Sequence, residues 1–268
     1  MRRTPRPEHG FTLIEAVLAI AATGVVAAMV AQFIVPATSA YFATGARARL
    51  GDEADAALRR IGRDLAGALP NSARVSGRSL ELIPASGAAR YAVAGGDPLR
   101  FGEADTGFDI VGPPLRLAAA GQRLAWYNLG PGVPDADAYT GANVRVASNP
   151  AGPASHLDIG GAALPNALQA PPYRVYAIEP PVTYRCDLAA GTLTRHTGYG
   201  FHASQPDPPS GGRAAVLARH VSGCSFGYDP SGPSARHALV TLHLQLGTPG
   251  EVGETVSLYH AVHVDNLP

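Results

Sequence analysis

Three groups of residues have the types and spacing to do chemistry. The first is a single carboxylate, Glu15, near one end of an otherwise uncharged run from Phe11 to Val35. Placing an acid deep in lipid costs about 2.5–3.5 kcal/mol on insertion scales, so this carboxylate calls for a partner. A cut after Gly10 would supply one. It frees the amine of Phe11, which lies one helical turn from Glu15 on the same helix and equally within reach of a staggered neighbouring helix. A buried ion pair left half-made is unfavourable by about 3–5 kcal/mol, so such a pair serves as a register check more than as glue.

The second group is the two cysteines, Cys186 and Cys224. The third is a pair of local motifs. Gly223-Cys224-Ser225-Phe226-Gly227 satisfies G-x-S-x-G, but a nucleophile elbow needs a helix straight after it. Tyr228-Asp229-Pro230-Ser231-Gly232-Pro233 cannot start one, so no catalytic residue is assigned and no enzyme is expected. Asp135-Ala136-Asp137 opens like an EF-hand loop. Thr140 then stands where glycine is needed and Val146 where the closing glutamate is needed. A weak calcium site of another kind is all that loop leaves open, and no other cofactor is expected. The histidines are scattered. His260 and His263 are three apart on an expected strand, so they point to opposite faces and cannot share a metal. His196 and His202 are separated by loop and unconstrained.

The elements that must position these groups follow from composition and pattern. Twenty-five residues from Phe11 to Val35 at about 1.5 Å each make roughly 37 Å of helix, enough to cross a bilayer core of about 30 Å with some tilt. Pro36 cannot donate a backbone hydrogen bond, so a kink or break is expected there, with helix resuming by Tyr41 and running to about Leu69. Leu50, Ala54, Leu58, Ile61, Leu65 and Leu69 form one apolar stripe. Asp52, Glu53, Asp55, Arg59, Arg60, Arg63 and Asp64 fall largely off it, and Pro70-Asn71 stops the helix.

After Pro70 the signals are strands and turns. Ser79–Ile83 and Ala89–Val93 flank Pro84–Gly87 as a plausible hairpin. Phe108–Val111, Arg123–Tyr127 and Val144–Ala147 are short candidates, and residues 128–170 read as long surface loops. Tyr173–Ile178, Val182–Cys186 and Thr192–Arg195 are expected as consecutive strands, then Val216–Val221 and Cys224–Tyr228. Val240, Leu242, Leu244 and Leu246 alternate with polar residues, as do Val256, Leu258, Val262 and Val264. These two segments predict an antiparallel pair with one buried face. Helix plus antiparallel sheet makes the expected class α+β.

The formal net charge is zero, so no polyanion partner is implied, and the few aromatics are not interleaved with arginine as a nucleic-acid platform would need. No small-molecule substrate is expected. Arg2, Arg3 and Arg6 precede the span, so the N-terminus stays cytoplasmic and the rest is exported. The receiving compartment is oxidising, which makes a Cys186–Cys224 disulfide the default, worth about 4 kcal/mol in the chain-entropy model. Two separate buried thiols are the alternative.

Gly10-Phe11-Thr12-Leu13-Ile14-Glu15 after a short basic leader resembles the class III signal of type IV pilins and type II secretion pseudopilins. The resemblance implies cleavage between Gly10 and Phe11 by a prepilin peptidase/methyltransferase, N-methylation of Phe11, and Glu15-dependent assembly with major and minor pilins. It implies an inner-membrane protein, then a pilus or pseudopilus subunit. The expected organisation is a leader over residues 1–10, a membrane or filament-core helix over 11–35, its amphipathic second half over 36–70, and a periplasmic β-rich domain over 71–268. Residues 54–75 and Val182–Asp187, with Gly191-Thr192-Leu193 and Gly198-Tyr199, are similar to minor pilins of the MshO type from the MSHA pilus. J-like minor pseudopilins of type II secretion share the plan. Two readings outside the resemblance stand beside it. One is an ordinary signal peptide cut near Ala37–Ala40, exporting a binding domain. The other is a plain single-span anchor.

Overall fold

The computed structural model describes residues 10–230, 237–247 and 253–268. Arg2, Arg3 and Arg6 of the leader and Ser231–Pro233 lie outside these residues. Contacts divide the chain into Met1–Arg49 and Leu50–Pro268. The fold is α+β, a long apolar N-terminal helix followed by antiparallel sheets.

The helical stretch consists of α1 (Leu13–Met29), a π-helical turn (Val30–Ile34) and α2 (Val35–Ala66). Helix therefore runs through Pro36 without the expected break. The proline cannot donate to the preceding turn and its ring crowds that turn's carbonyl. The widened π turn just before it accommodates both, with Val35 donating its N–H to the Val30 carbonyl five residues back. At the other end α2 stops at Ala66, short of Leu69. Gly67 still donates to Arg63, but Leu69 donates to Ile83 at 2.8 Å and Ala85 to Gly67 at 2.9 Å. Cross-chain pairing has replaced the helical ladder.

Among the described residues sixteen strands follow. Those of the first half are β1 (Arg74–Ser76), β2 (Ser79–Leu82), β3 (Ala85–Tyr91), β4 (Gly107–Val111), β5 (Leu115–Leu117), β6 (Arg123–Trp126), β7 (Val144–Ala147), β8 (Gly152–Ala154) and β9 (His156–Gly160). The rest are β10 (Arg174–Ile178), β11 (Val182–Asp187), β12 (Thr192–Thr197), β13 (Arg213–Arg219), β14 (Val221–Asp229), β15 (His237–Gly247) and β16 (Thr255–Asp265). They form a five-stranded sheet β1-β2-β11-β12-β13, a three-stranded sheet β14-β15-β16, a closed six-stranded barrel β10-β3-β4-β9-β7-β6 and a small β5-β8 ribbon.

From Leu50 onward α2 is the centre of the first core. Leu50, Ala54, Ala57, Leu58, Ile61 and Leu65 pack with Leu80, Leu82, Val182 and Tyr184 of the five-stranded sheet and with Val240, Leu242, Leu244 and Leu246 of β15. The 3.6-residue stripe meets the two-residue alternation of the strands, and each fully buried Leu or Ile contributes about 1.5–3 kcal/mol. A disulfide joins Cys186 on β11 to Cys224 on β14, so the two sheets that share this helix are also covalently linked. The barrel has its own core around Phe108, Trp126, Leu124 and Leu157. Leu69, Ile83, Tyr139 and Tyr176 fill a third cluster.

Two expectations are corrected. Ser79–Ile83 and Ala89–Val93 are not a hairpin. β2 pairs with β1 and β11, whereas β3 pairs with β10 and β4. The chain passes from sheet to barrel at Ile83–Pro84, and the Pro84 carbonyl accepts an N–H from Glu179 at 2.9 Å. The region 128–170 is not only surface loop. Beside the expected strand Val144–Ala147, now β7, it holds β8 and β9, and Asn128, Asp137 and Asn143 within it are buried. The loop over 203–213 closes through Gly212 at φ +70°, where an added Cβ would collide with the Thr197 carbonyl.

Candidate functional site

The start of α1 is built by Thr12. Its backbone is extended (φ −80°, ψ 151°), its side-chain oxygen accepts the Glu15 N–H at 3.3 Å, and its carbonyl accepts from Glu15 and Ala16 at 3.1 Å. Thr12 and Glu15 have the Thr-x-x-Glu spacing of a capping box, a local helix-start signal that lies inside the six-residue motif. Only the Thr12 half of that box is formed, a cap that sequence reasoning missed.

Because the helix begins only at Leu13, the Gly10–Phe11 peptide bond lies outside it. Phe11 is 76% exposed. A Cβ added at Gly10 would meet nothing within 4 Å. The fold therefore does not require glycine there, and any requirement comes from something that acts on this bond.

Glu15 is exposed in the first turn of α1, where the helix dipole favours a negative charge. Among the described residues its carboxylate has no hydrogen bond or ion pair. No residue of α1 is buried. The helix is long and apolar enough to cross a membrane by length and composition. The site is thus a lone acid on an uncovered apolar cylinder, beside an exposed peptide bond.

The other candidate residues fall elsewhere. Gly223–Gly227 lies inside β14, within a strand instead of at a strand-to-helix turn. Asp137 is buried and spends its carboxylate on the N–H groups of Gly132 (2.9 Å) and Tyr139 (2.8 Å), while Asp135 is exposed. Among the described residues there is no group of three or more His, Cys, Asp or Glu side chains placed to hold a metal ion. His260 faces Gly62 of α2 and His263 the opposite side of β16. His202 bonds the Tyr199 carbonyl at 3.0 Å, and burial pushes the His196 imidazole below its ordinary value.

Two polar networks brace the domain, and spacing gave no sign of either. Glu81, fully buried, takes a 2.6 Å ion pair from Arg74 and a 2.7 Å hydrogen bond from the Tyr199 hydroxyl. Burial, then the Glu81 charge, drives that hydroxyl far above a phenol's ordinary value, so it remains a donor. Asp64 on α2 accepts from the Tyr184 hydroxyl at 2.6 Å and pairs with Arg195 at 2.8 Å, tying the helix to β11 and β12.

Residues 5–31 match the family model of the prokaryotic N-terminal methylation motif. That span contains Gly10–Glu15, all of α1 and the first residues of the π turn. No curated protein and no solved structure matches the chain. The motif supports a type IV pilin-like or pseudopilin-like protein, a class of structural subunits. It implies processing by a prepilin peptidase and assembly with other pilins in a filament, and the apolar N-terminal helix suggests membrane anchoring.

Proposed function

We propose that this chain is a minor pilin of the MSHA kind, working as an assembly subunit at the tip or in initiation of a type IV pilus. Prepilin peptidase cuts between Gly10 and Phe11 at the cytoplasmic face of the inner membrane, and the Phe11 amine is methylated. The segment from Phe11 to Val35 leaves the membrane and packs in the filament core. Apolar contacts supply affinity there, and pairing of Glu15 with a Phe11 amine fixes register. The observation that carries the reading is the Glu15 carboxylate, without a partner among the described residues, on an apolar helix that buries none of its residues, inside a methylation motif.

Placement at the tip is favoured by size. The Leu50–Pro268 unit carries a whole β-barrel beside its helix-and-sheet core, and that bulk fits an end more easily than a tightly packed shaft. The MSHA assignment rests on the similarity of residues 54–75 and of Val182–Asp187, together with Gly191-Thr192-Leu193 and Gly198-Tyr199. The test is the mature N-terminus, by intact mass and peptide sequencing from membranes. N-methylated Phe11 is the expected result. A start near Tyr41 would mean an ordinary signal peptide and would remove the assembly argument. Gly10→Ala is expected to leave the fold untouched and to block processing.

A further inference from the structure

We propose that the outer face of the barrel carries a binding site for a small carboxylate with an apolar body, held by Arg90 and Arg174 in a cleft walled by Val111, Pro113 and Pro114.

Arg174 on β10 stands directly opposite Arg90 on β3, and Arg90 directly opposite Val111 on β4. Direct partners in an antiparallel pair point to one face, with Cβ atoms about 4.5–5.5 Å apart. Arg174, Arg90 and Val111 therefore form a row across three strands. All three are exposed, and along β3 the exposed Ser86, Ala88 and Arg90 put this face on the outside of the barrel. Like charges directly opposed across strands are destabilising. Other arginines of the domain are matched by carboxylates, Arg74 by Glu81, Arg100 by Asp105 and Arg195 by Asp64. Among the described residues Arg90 and Arg174 have no such match. Arg174 reaches the Tyr176 hydroxyl. The Asp265 carboxylate, which also acts on that hydroxyl, accepts the Leu267 N–H at 3.0 Å.

The two arginines border a cleft of about 370 Å³, lined otherwise by Ala88, Ala89, Val111, Pro113 and Pro114. Its volume falls at the low end of small-molecule sites, about 300–1,000 Å³. The short side chain of Ala88 leaves a depression beside Arg90. Val111, 52% exposed, and the two prolines after it make an apolar wall.

The lining identifies the ligand. Proline has no backbone N–H, so the Pro113–Pro114 wall cannot pair with an added peptide strand. The only polar side chains in the cleft are the two guanidiniums. Each presents its N–H groups in a planar fork that matches a carboxylate. A polyhydroxylated ligand would set its hydroxyls against alanine, valine and proline, at the cost of unmade hydrogen bonds. A bare anion would leave the apolar wall unused. A ring-sized apolar body bearing one carboxylate uses both halves. The site lies within the Leu50–Pro268 unit and does not depend on the assembly reading.

The test uses the full chain in detergent, with methyl-labelled valine for NMR and benzoate as the probe. Benzoate is expected to shift the Val111 methyl signals saturably, with half-saturation at about 1 mM, an ordinary value for a ligand of this size. Acetate lacks the apolar body and benzyl alcohol lacks the charge, and each is expected to need at least about tenfold more. Arg90→Gln and Arg174→Gln are each expected to weaken benzoate at least about tenfold. Arg90→Glu is expected to abolish binding and to raise the melting temperature by about 1–4 °C, because an ion pair replaces two opposed like charges. No saturable shift up to about 20 mM benzoate overturns the proposal. So does acetate that binds as well as benzoate, or benzoate that binds Arg90→Gln as well as the unaltered chain, the results expected of a diffuse cationic surface. A melting temperature lowered by Arg90→Glu would mean that the paired arginines serve the fold, and would overturn it too.

Discussion

The first 17-residue helix, α1, and the last turns of α2 are built from the same backbone and used in opposite ways. α1 is apolar around its whole circumference and buries nothing. From Leu50 to Leu65, α2 is no richer in apolar residues than a surface helix, yet it holds the main core together. What separates them is angular distribution. A stripe about 100° wide commits a helix to its own domain, whereas apolar residues on every side commit it to lipid or to other chains. The charges follow the same division. Asp64 on α2 is fully engaged with Tyr184 and Arg195, and Glu15 on α1 is engaged with nothing among the described residues. Stability therefore resides in the second region and the capacity to assemble in the first.

That contrast can be broken. Glu15→Ala is expected to reduce pilus number by two orders of magnitude or more, the scale of a half-made ion pair of about 3–5 kcal/mol, with normal insertion and cleavage. Normal piliation, counted by electron microscopy, would end the register argument. Ile61→Ala, at a fully buried site, is expected to cost about 2–5 kcal/mol in urea unfolding of the Leu50–Pro268 unit. Leu18→Ala, exposed on α1, is expected to change the same transition by no more than about 0.5 kcal/mol. Equal effects would mean that the two regions do not divide the labour.

Smaller changes sharpen it. Removing the Cys186–Cys224 bond, which closes a 38-residue separation, is expected to cost about 4 kcal/mol at most in the chain-entropy model, and less where the shared helix still holds both sheets. Comparing the double Cys→Ala variant with and without Ile61→Ala measures how far helix and disulfide duplicate each other. The smallest effect lies on the barrel. The hydrogen bond that His156 donates to the Asp109 carboxylate raises the imidazole above its ordinary value. A raised imidazole contributes stability that is fully present below the unfolded value and lost as pH rises through the folded one. The pair is exposed and screened by solvent, so the change is small. Asp109→Asn is expected to return the His156 titration, followed by NMR, toward that of a free imidazole.

Legibility in the sequence followed the length and regularity of each element. The helix, its stripe and the β15–β16 pair were readable because each repeats its pattern over many residues. Of the barrel, β4, β6, β7 and β10 were readable as short strands, but β9 and the closure were not, since strands of four to seven residues separated by turns rich in Gly and Pro do not show which neighbours they pair with. The hairpin expected around Pro84 failed because two strands divided by a proline look alike whether they fold back on each other or continue into different sheets. Pro36 shows the converse. A proline forbids one hydrogen bond, and a single wide turn absorbs the loss without ending the helix. At the site, Glu15 was legible by its isolation. The Asp64 and Glu81 networks were not, since their members are brought together from distant parts of the chain by the sheets.

The Pro84–Glu179 hydrogen bond has an architectural consequence. β2 and β11 are direct neighbours, yet the entire barrel is spelled out between them. In the language of syntax the barrel is a parenthesis, opened at Ala85 and closed at Ile178 by two chain crossings one hydrogen bond apart. The surrounding sentence, α2 with its two sheets, keeps its own core and its own covalent link. Evolution can rewrite the text inside such brackets, lengthening or replacing it, while the clause that contains it keeps its grammar.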